Sequence, residues 1–347
     1  MQNRPLGAWR RPVLALAVLA AVLPAAPASL AQPVRLRAAQ VFDDGHAWHK
    51  ALVRMGEIMQ ERTGGAVTVQ VYGRGVLGQE KDYIEPLLMG RLDLAVLAPG
   101  WAGNLAKQMS FLDMLFLWRD RAHWVAALDG EVGRKVADLL EKETAKGGHP
   151  GLKVLGYLGG SERYVMSRRQ GYGSPAEFAG FKLRVLDSPP QIQSWKALGA
   201  APVPLSFNLV MGALRAGTVD GLENEMGNAY QMKFHELAPH ITETEHILTV
   251  RPLLMSGHSW RKLSPAQQLL LQDAAREAVA LGRSLEWKQN QDAMAEMKRA
   301  GARFYPFPRK SRDQMRELTQ PLREALAQEL GLTDILQSIE RTGTAAR

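Results

Sequence analysis

The chain has 347 residues, no cysteine and a formal net charge of +8, with 46% of its residues hydrophobic. The lack of cysteine excludes disulfides, thiol catalysis and cysteine metal sites, and it suits an oxidising compartment. The basic residues are scattered among acids instead of gathering in a stripe with aromatics, which argues against nucleic-acid binding.

Residues 1–31 read as an export signal rather than as part of the fold. Arg4, Arg10 and Arg11 form a positive n-region, 13–23 an apolar core, and Ser29-Leu30-Ala31 a small-x-small cleavage site. The apolar run is interrupted by Pro24 and Pro27 and is too short to span a bilayer comfortably. Arg10-Arg11 leaves both the Sec and the twin-arginine routes open. Cleavage after Ala31 leaves roughly 315 residues, enough for two domains, and a net charge of about +5. No later stretch is long and apolar enough to cross a membrane, so a soluble mature protein is expected.

Alternating apolar residues predict a strand over 34–39. A helix over 46–62 follows, with Leu52, Met55 and Met59 on one face and Gly64-Gly65 at its end. A strand over 66–72, a helix over 79–89 and an apolar strand over 93–97 complete a βαβαβ start, which argues for a parallel sheet. Helix is expected again over 121–146, and strand over 153–158, 163–167 and 181–186. Helices at 191–198 and 208–216 precede a long apolar strand over 247–256. Ser264-Pro265-Ala266-Gln267 supplies an N-cap, a proline at the first helical position and a capping box. The helix it opens extends to about Arg299, long enough to bridge two domains. No repeat, low-complexity segment or Pro/Ser-rich linker divides the chain. Two α/β domains crossed several times by the chain are expected.

Gly73, Gly75 and Gly78 form a G-x-G-x-x-G after a strand and before a helix, where a dinucleotide fingerprint belongs. That fingerprint also needs an acid closing the second strand. Here Asp93 opens that strand and Ala98-Pro99-Gly100 ends it, so the glycines are read as shaping a turn. The histidines show no metal-ligand spacing. No serine sits in a nucleophile elbow, so neither a cofactor, a metal nor catalysis is expected. Arg163 and Arg184 are different in kind. Arg184 interrupts the apolar run Phe181-Lys182-Leu183-Arg184-Val185, and a guanidinium presents a rigid fork that fits a carboxylate. Trp48 and Trp101 lie at a helix start and in a loop, where each could stack on a ligand, pack in the core or stand exposed.

Several sequence words occur in a shared order. They are His49-Lys50-Ala51, Thr63-Gly64-Gly65, Gly90-Arg91-Leu92-Asp93-Leu94-Ala95, Phe116-Leu117-Trp118-Arg119-Asp120, Leu128-Asp129-Gly130-Glu131, the segment 180–224 and Lys233-Phe234-His235-Glu236. Together they resemble the solute-binding proteins of TRAP (tripartite ATP-independent periplasmic) transporters, of the dicarboxylate-binding (DctP) type, extracellular solute-binding protein family 7. The resemblance implies a periplasmic-binding-protein-like α/β fold with two lobes, a cleft between them and a long helix spanning both. The expected lobes are 32–160 with 250–289, and 161–249 with 290–347. It also implies a monomeric periplasmic receptor, not an enzyme, that takes a small organic acid by its carboxylate and delivers it to a membrane permease. Arg184 matches the family's principal carboxylate-binding arginine, and Arg163 a second arginine of the cleft. Asn224 matches an asparagine bonding the same carboxylate, and Phe207 an aromatic packing on the ligand. Trp48 and Trp101 are the further candidates. The chain departs from the family wording at Leu222, Leu115, Ala47-Trp48 and Ala98, the last where some acid-sugar binders carry a glutamate. C4-dicarboxylates, oxo or hydroxy acids, sugar acids and aromatic acids all stay open as ligands. An exported enzyme or a ligand-sensing module on a related scaffold is the alternative.

Overall fold

The computed structural model describes residues 1–2 and 33–343, so the expected export signal lies, but for Met1 and Gln2, outside the described residues. β1 (Val34–Ala39), α1 (Ala47–Arg62), β2 (Val67–Tyr72), α2 (Ile84–Leu88) and β3 (Leu94–Val96) make up the βαβαβ start. β1 lies between β2 and β3 and runs parallel to both. The helix expected over 79–89 is a 3₁₀ turn, Glu80–Tyr83, leading into α2. Gly75 and Gly78 lead into it with φ of 63° and 106°, left-handed values that suit glycine, so the glycine motif does shape a turn.

α3 (Pro99–Ala102), α4 (Arg121–Leu128), α5 (Glu131–Ala145) and β4 (Lys153–Glu162) follow. The single helix expected over 121–146 is broken at Gly130, whose φ of −99° and ψ of −145° are not helical. The second half of the chain supplies β5 (Tyr164–Ser167), β6 (Lys182–Val185), α6 (Pro189–Ala197), β7 (Ala201–Pro204), α7 (Val210–Ala216), β8 (Gly221–Asn224), α8 (Met226–Gln231) and β9 (His240–Glu243). It continues through β10 (Leu248–Met255), α9 (Gly257–Trp260), α10 (Pro265–Arg299), β11 (Arg303–Pro306), α11 (Arg309–Glu329) and α12 (Thr333–Arg341).

Two sheets result, ordered β2-β1-β3-β10-β4 and β11-β9-β5-β8-β6-β7. The chain passes from the first to the second between β4 and β5, with Arg163 the one residue between them. It returns between β9 and β10, and β10 then lies antiparallel between β3 and β4. α10 spans both cores. Its capping box forms as expected, with Ser264 Oγ accepting from the Gln267 N–H and Gln267 Oε1 from the Ser264 N–H. Its 35 residues make a rod about 50 Å long. Leu271, Ala275 and Ala278 pack in a core of the first sheet, and Ala293 and Met297 in a core of the second. A Cβ on Gly282 would lie 2.5 Å from Leu158 and 2.9 Å from Ala51, so this glycine lets α10 approach β4 and α1 closely.

α11 and α12 were not anticipated, and they correct one expected boundary. Met315 packs in the second sheet's core, but Ala327, Leu332, Ile335 and Ile339 pack with Trp124 and Leu128 in the first. The segment 290–347 therefore does not belong wholly to the second lobe. The apolar face of α12 is covered by α5 instead. Among the described residues, no helix is long and apolar enough to cross a membrane.

Candidate functional site

Strand ends and loops of both sheets surround a cavity. Alternation on β6 turns Leu183 and Val185 into a core and leaves Arg184 on the opposite side, lining the cavity. β8 brings Asn224, β10 brings Arg251, and the crossing between the sheets brings Arg163. The 3₁₀ turn after the glycine motif contributes Glu80, and α3 contributes Trp101. Phe207, in the turn leading to α7, closes a side with Phe42, their ring centroids 5.4 Å apart.

The arginines differ sharply in their partners. Arg163 is 5% exposed and gives its whole fork to acids of β8 and its end. Its Nε and Nη2 bond Glu223, and its Nη1 bonds Glu225. Tyr164 pairs with Asn224 across the antiparallel ladder, which sets Arg163 opposite Glu225 and diagonal to Glu223. Burial opposes its charge, but Glu223 and Glu225 outweigh burial and hold the guanidinium protonated. Arg163 in turn overcomes the burial of Glu223 and brings that carboxyl down to about 2. Arg251 donates to Glu225 at 3.2 Å and lies over the Trp48 ring.

Arg184 is 1% exposed, and its Nε and Nη2 both reach one acceptor, the Leu205 carbonyl, at 3.1 and 2.5 Å. No carboxylate among the described residues forms an ion pair with it. Burial, only partly offset by the more distant Glu223, lowers its pKa to about 10. Glu223 and Glu225 pair with Arg163 and Arg251, which leaves Arg184 as the lining arginine without an ion-pair partner among the described residues.

Val41, Leu186 and Ile247 make part of the remaining lining apolar, and several of its polar groups are unsatisfied. Asn224 Nδ2 and Gln191 Oε1 are buried without a hydrogen-bond partner. Burial pushes the Glu80 carboxyl up and that of Asp113 up to about 6, against the pull of Arg251 on both. Such groups can accept from or donate to hydroxyls. Asn228 closes the floor through a 2.9 Å bond to His46. The whole can neutralise one anion and hydrogen-bond a hydroxylated body.

Of the six residues expected at the site, Arg184, Arg163, Asn224, Phe207 and Trp101 line one cavity. Trp48 does not. It is 1% exposed, its indole N–H donates to Glu286 and its ring packs edge-on to Phe42 and His46, so it supports the wall from behind. Arg163 reaches the cavity, yet its fork is already filled by glutamates and is not free for a ligand. At Ala98 the backbone N–H donates to Glu80 Oε2 at 2.8 Å, so that corner carries an acid after all, from another segment. Leu222 sits in a core with Met166, leaving the cavity lining unchanged. Sequence reasoning missed Arg251, Glu80, Asp113, Gln191 and Asn228. Arg251 carried the same signal as Arg184, a lone charge inside an apolar strand. The other four gave none.

The model of bacterial extracellular solute-binding protein, family 7, matches residues 38–329. A solute-binding protein of Sulfitobacter sp. strain NAS-14.1 is 37% identical over 306 residues, covering 88% of this chain and 90% of its own length. A solved TRAP periplasmic solute-binding protein from the same organism, with bound α-D-taluronate, has a TM-score of 0.82 and 35% identity, covering 88% of this chain and 97% of its own. Another, from Bradyrhizobium sp. BTAi1 in complex with α/β-D-galacturonate, has a TM-score of 0.82 and 28% identity, covering 89% of this chain and all of its own.

Proposed function

This chain belongs to bacterial extracellular solute-binding protein family 7, and on that footing we propose that it is the receptor of a TRAP-type transporter for a sugar acid of the uronate class. The observation that carries this reading is Arg184, 1% exposed and without a carboxylate partner among the described residues. A buried guanidinium held only by a carbonyl is costly until an anion arrives. The ligand's carboxylate takes the free side of the Arg184 fork and accepts from Asn224 Nδ2. Its hydroxyls meet Glu80, Asp113, Gln191 and Asn228, while Phe207 and Trp101 pack on the ring faces. The relatives with bound taluronate and galacturonate support this ligand class.

Each sheet with its helices acts as one lobe, the chain passing back to the first within the C-terminal part of α11. Closure strips water from Arg184, so an anion favours the closed form by binding it better than the open one. The closed receptor docks on a membrane permease in the periplasm, which it reaches through its N-terminal signal. A thermal-shift comparison tests the ligand, since a compound that binds only the folded protein raises its Tm. D-galacturonate and D-taluronate are expected to raise it, and D-galactose to leave it unchanged. Stabilisation by galactose or by succinate in preference to the uronates would overturn the reading.

A further inference from the structure

A second cavity lies beside the two crossings between the sheets. Arg119, Asp120 and Arg121 reach it from the start of α4, Arg312 and Arg316 from α11, and Glu162 and Glu245 from the crossings themselves. Four arginines thus face three acids, one cation in excess. Arg312 pairs with Glu245 at 2.9 Å. Arg119 donates to the carbonyls of Glu340 and Thr342, and Arg121 to that of Arg283, bonds that satisfy N–H groups without neutralising a cation. The Arg316 side chain finds no hydrogen-bond partner among the described residues: its Nε is buried and unpartnered, and its guanidinium lies over the Phe116 ring, 5.5 Å from the centroid. Two residues of the wall are also held in left-handed backbone conformations that side chains rarely adopt, Phe116 at φ 56° and Glu245 at φ 49°. Strain of this kind persists where the surroundings impose it, and it clusters at functional sites.

We propose that this cavity is a second anion site, for inorganic phosphate. Guanidiniums arriving from two segments, the start of α4 and α11, suit a tetrahedral oxyanion, which accepts from several directions. Glu162 and Glu245 supply what a plain positive patch lacks, acceptors for the P–OH of hydrogenphosphate, which sulfate cannot offer. The site is separate from the sugar-acid cavity and does not depend on what that cavity binds. The two share a wall through His246, which lines the second cavity and bonds Glu223 at 3.3 Å, the acid that holds Arg163.

Titration calorimetry of the protein with phosphate, at fixed ionic strength, tests the assignment. Saturable binding is expected in the wild type and, unchanged, in Arg184→Ala, which alters the other cavity. Arg316→Gln is expected to weaken it at least tenfold, with Arg316→Lys in between because the charge stays and the fork is lost. Should Arg316→Gln fail to fold, Arg119→Gln reads the same site and is expected to weaken binding several-fold. Absence of saturable binding in the wild type overturns the proposal. So does loss in Arg184→Ala with retention in Arg316→Gln, which would place the phosphate in the sugar-acid cavity. Equal affinity for sulfate would leave only a charge patch and overturn it as well.

Discussion

Arg163 and Arg184 line the same cavity at nearly the same burial, 5% and 1% exposed, and they do opposite things with their charge. The Arg163 side of the cavity, at the β5–β8 ladder, is electrostatically closed, each buried acid lying against an arginine. The Arg184 side, on β6, is open, with one cation and a carbonyl. A buried arginine is therefore not enough to mark a ligand clamp. What marks it is whether its counter-charge is already in the chain.

The contrast breaks most directly at Arg163. Arg163→Ala leaves Glu223 and Glu225 short of a partner, and loss of one member of a buried pair costs about 3–5 kcal/mol. Denaturant unfolding checks this, and an unchanged midpoint would mean the ladder is not held by charge. Arg184→Ala is expected to do the reverse. Calorimetry with a uronate should show a loss of about 2–5 kcal/mol in affinity, that of a desolvated charge pair missing one partner. The empty protein should lose less than about 1 kcal/mol of stability, since the cation removed had no acid to strand. If both substitutions reduced stability alike, the distinction between the two sides would collapse.

Glu286 sharpens the comparison, because it is a buried acid near the closed side with no arginine of its own. Burial first, and then Glu225, raise its pKa to about 7. A carboxyl raised in the folded state contributes stability below its unfolded pKa, lost as pH rises through the folded one. Wild-type stability should thus fall relative to Glu286→Gln between about pH 4.5 and 7, by on the order of 3 kcal/mol, and the gap should stay constant above that. Thermal unfolding across that range reads it, and a gap that narrowed would reverse the assignment. The smallest effect is expected at Trp48→Phe, which strands Glu286 for about 1–2 kcal/mol of stability. Uronate affinity should change less than about threefold, or under 1 kcal/mol, because Trp48 stands behind the cavity wall.

Much of this was legible in the chain itself. Period-2 runs and the Ser264 capping box announced the first sheet and α10, and Arg184 stood out as a lone charge in an apolar strand. The remainder depends on what meets what across long separations. Nothing local to Leu248–Met255 says that it inserts between β3 and β4 and carries Arg251 to the cavity. Glu80 reads as an ordinary helix-start acid until the fold sets it against Ala98. α11 is mostly polar and contains Pro321, which reads as a break although the helix runs through it. Trp48 misled because position at a helix start does not say which way an indole faces.

The one-residue passage from β4 to β5 has a mechanical side. Arg163 is tied by its side chain to the acids of β8 and its end, so its backbone must travel with the second sheet. Any rotation between the sheets on this strand then falls to what precedes it, and there the chain offers Gly159 and Gly160, at φ 105° and 87°. A Cβ on Gly159 would lie 2.4 Å from the Thr249 carbonyl oxygen of β10, so no other residue fits without displacing the return crossing. The joint is thus clamped by charge on one side and, on the other, runs through two bare α-carbons packed against β10 and Trp124. Its stiffness could be set from either side without touching a residue that meets the ligand.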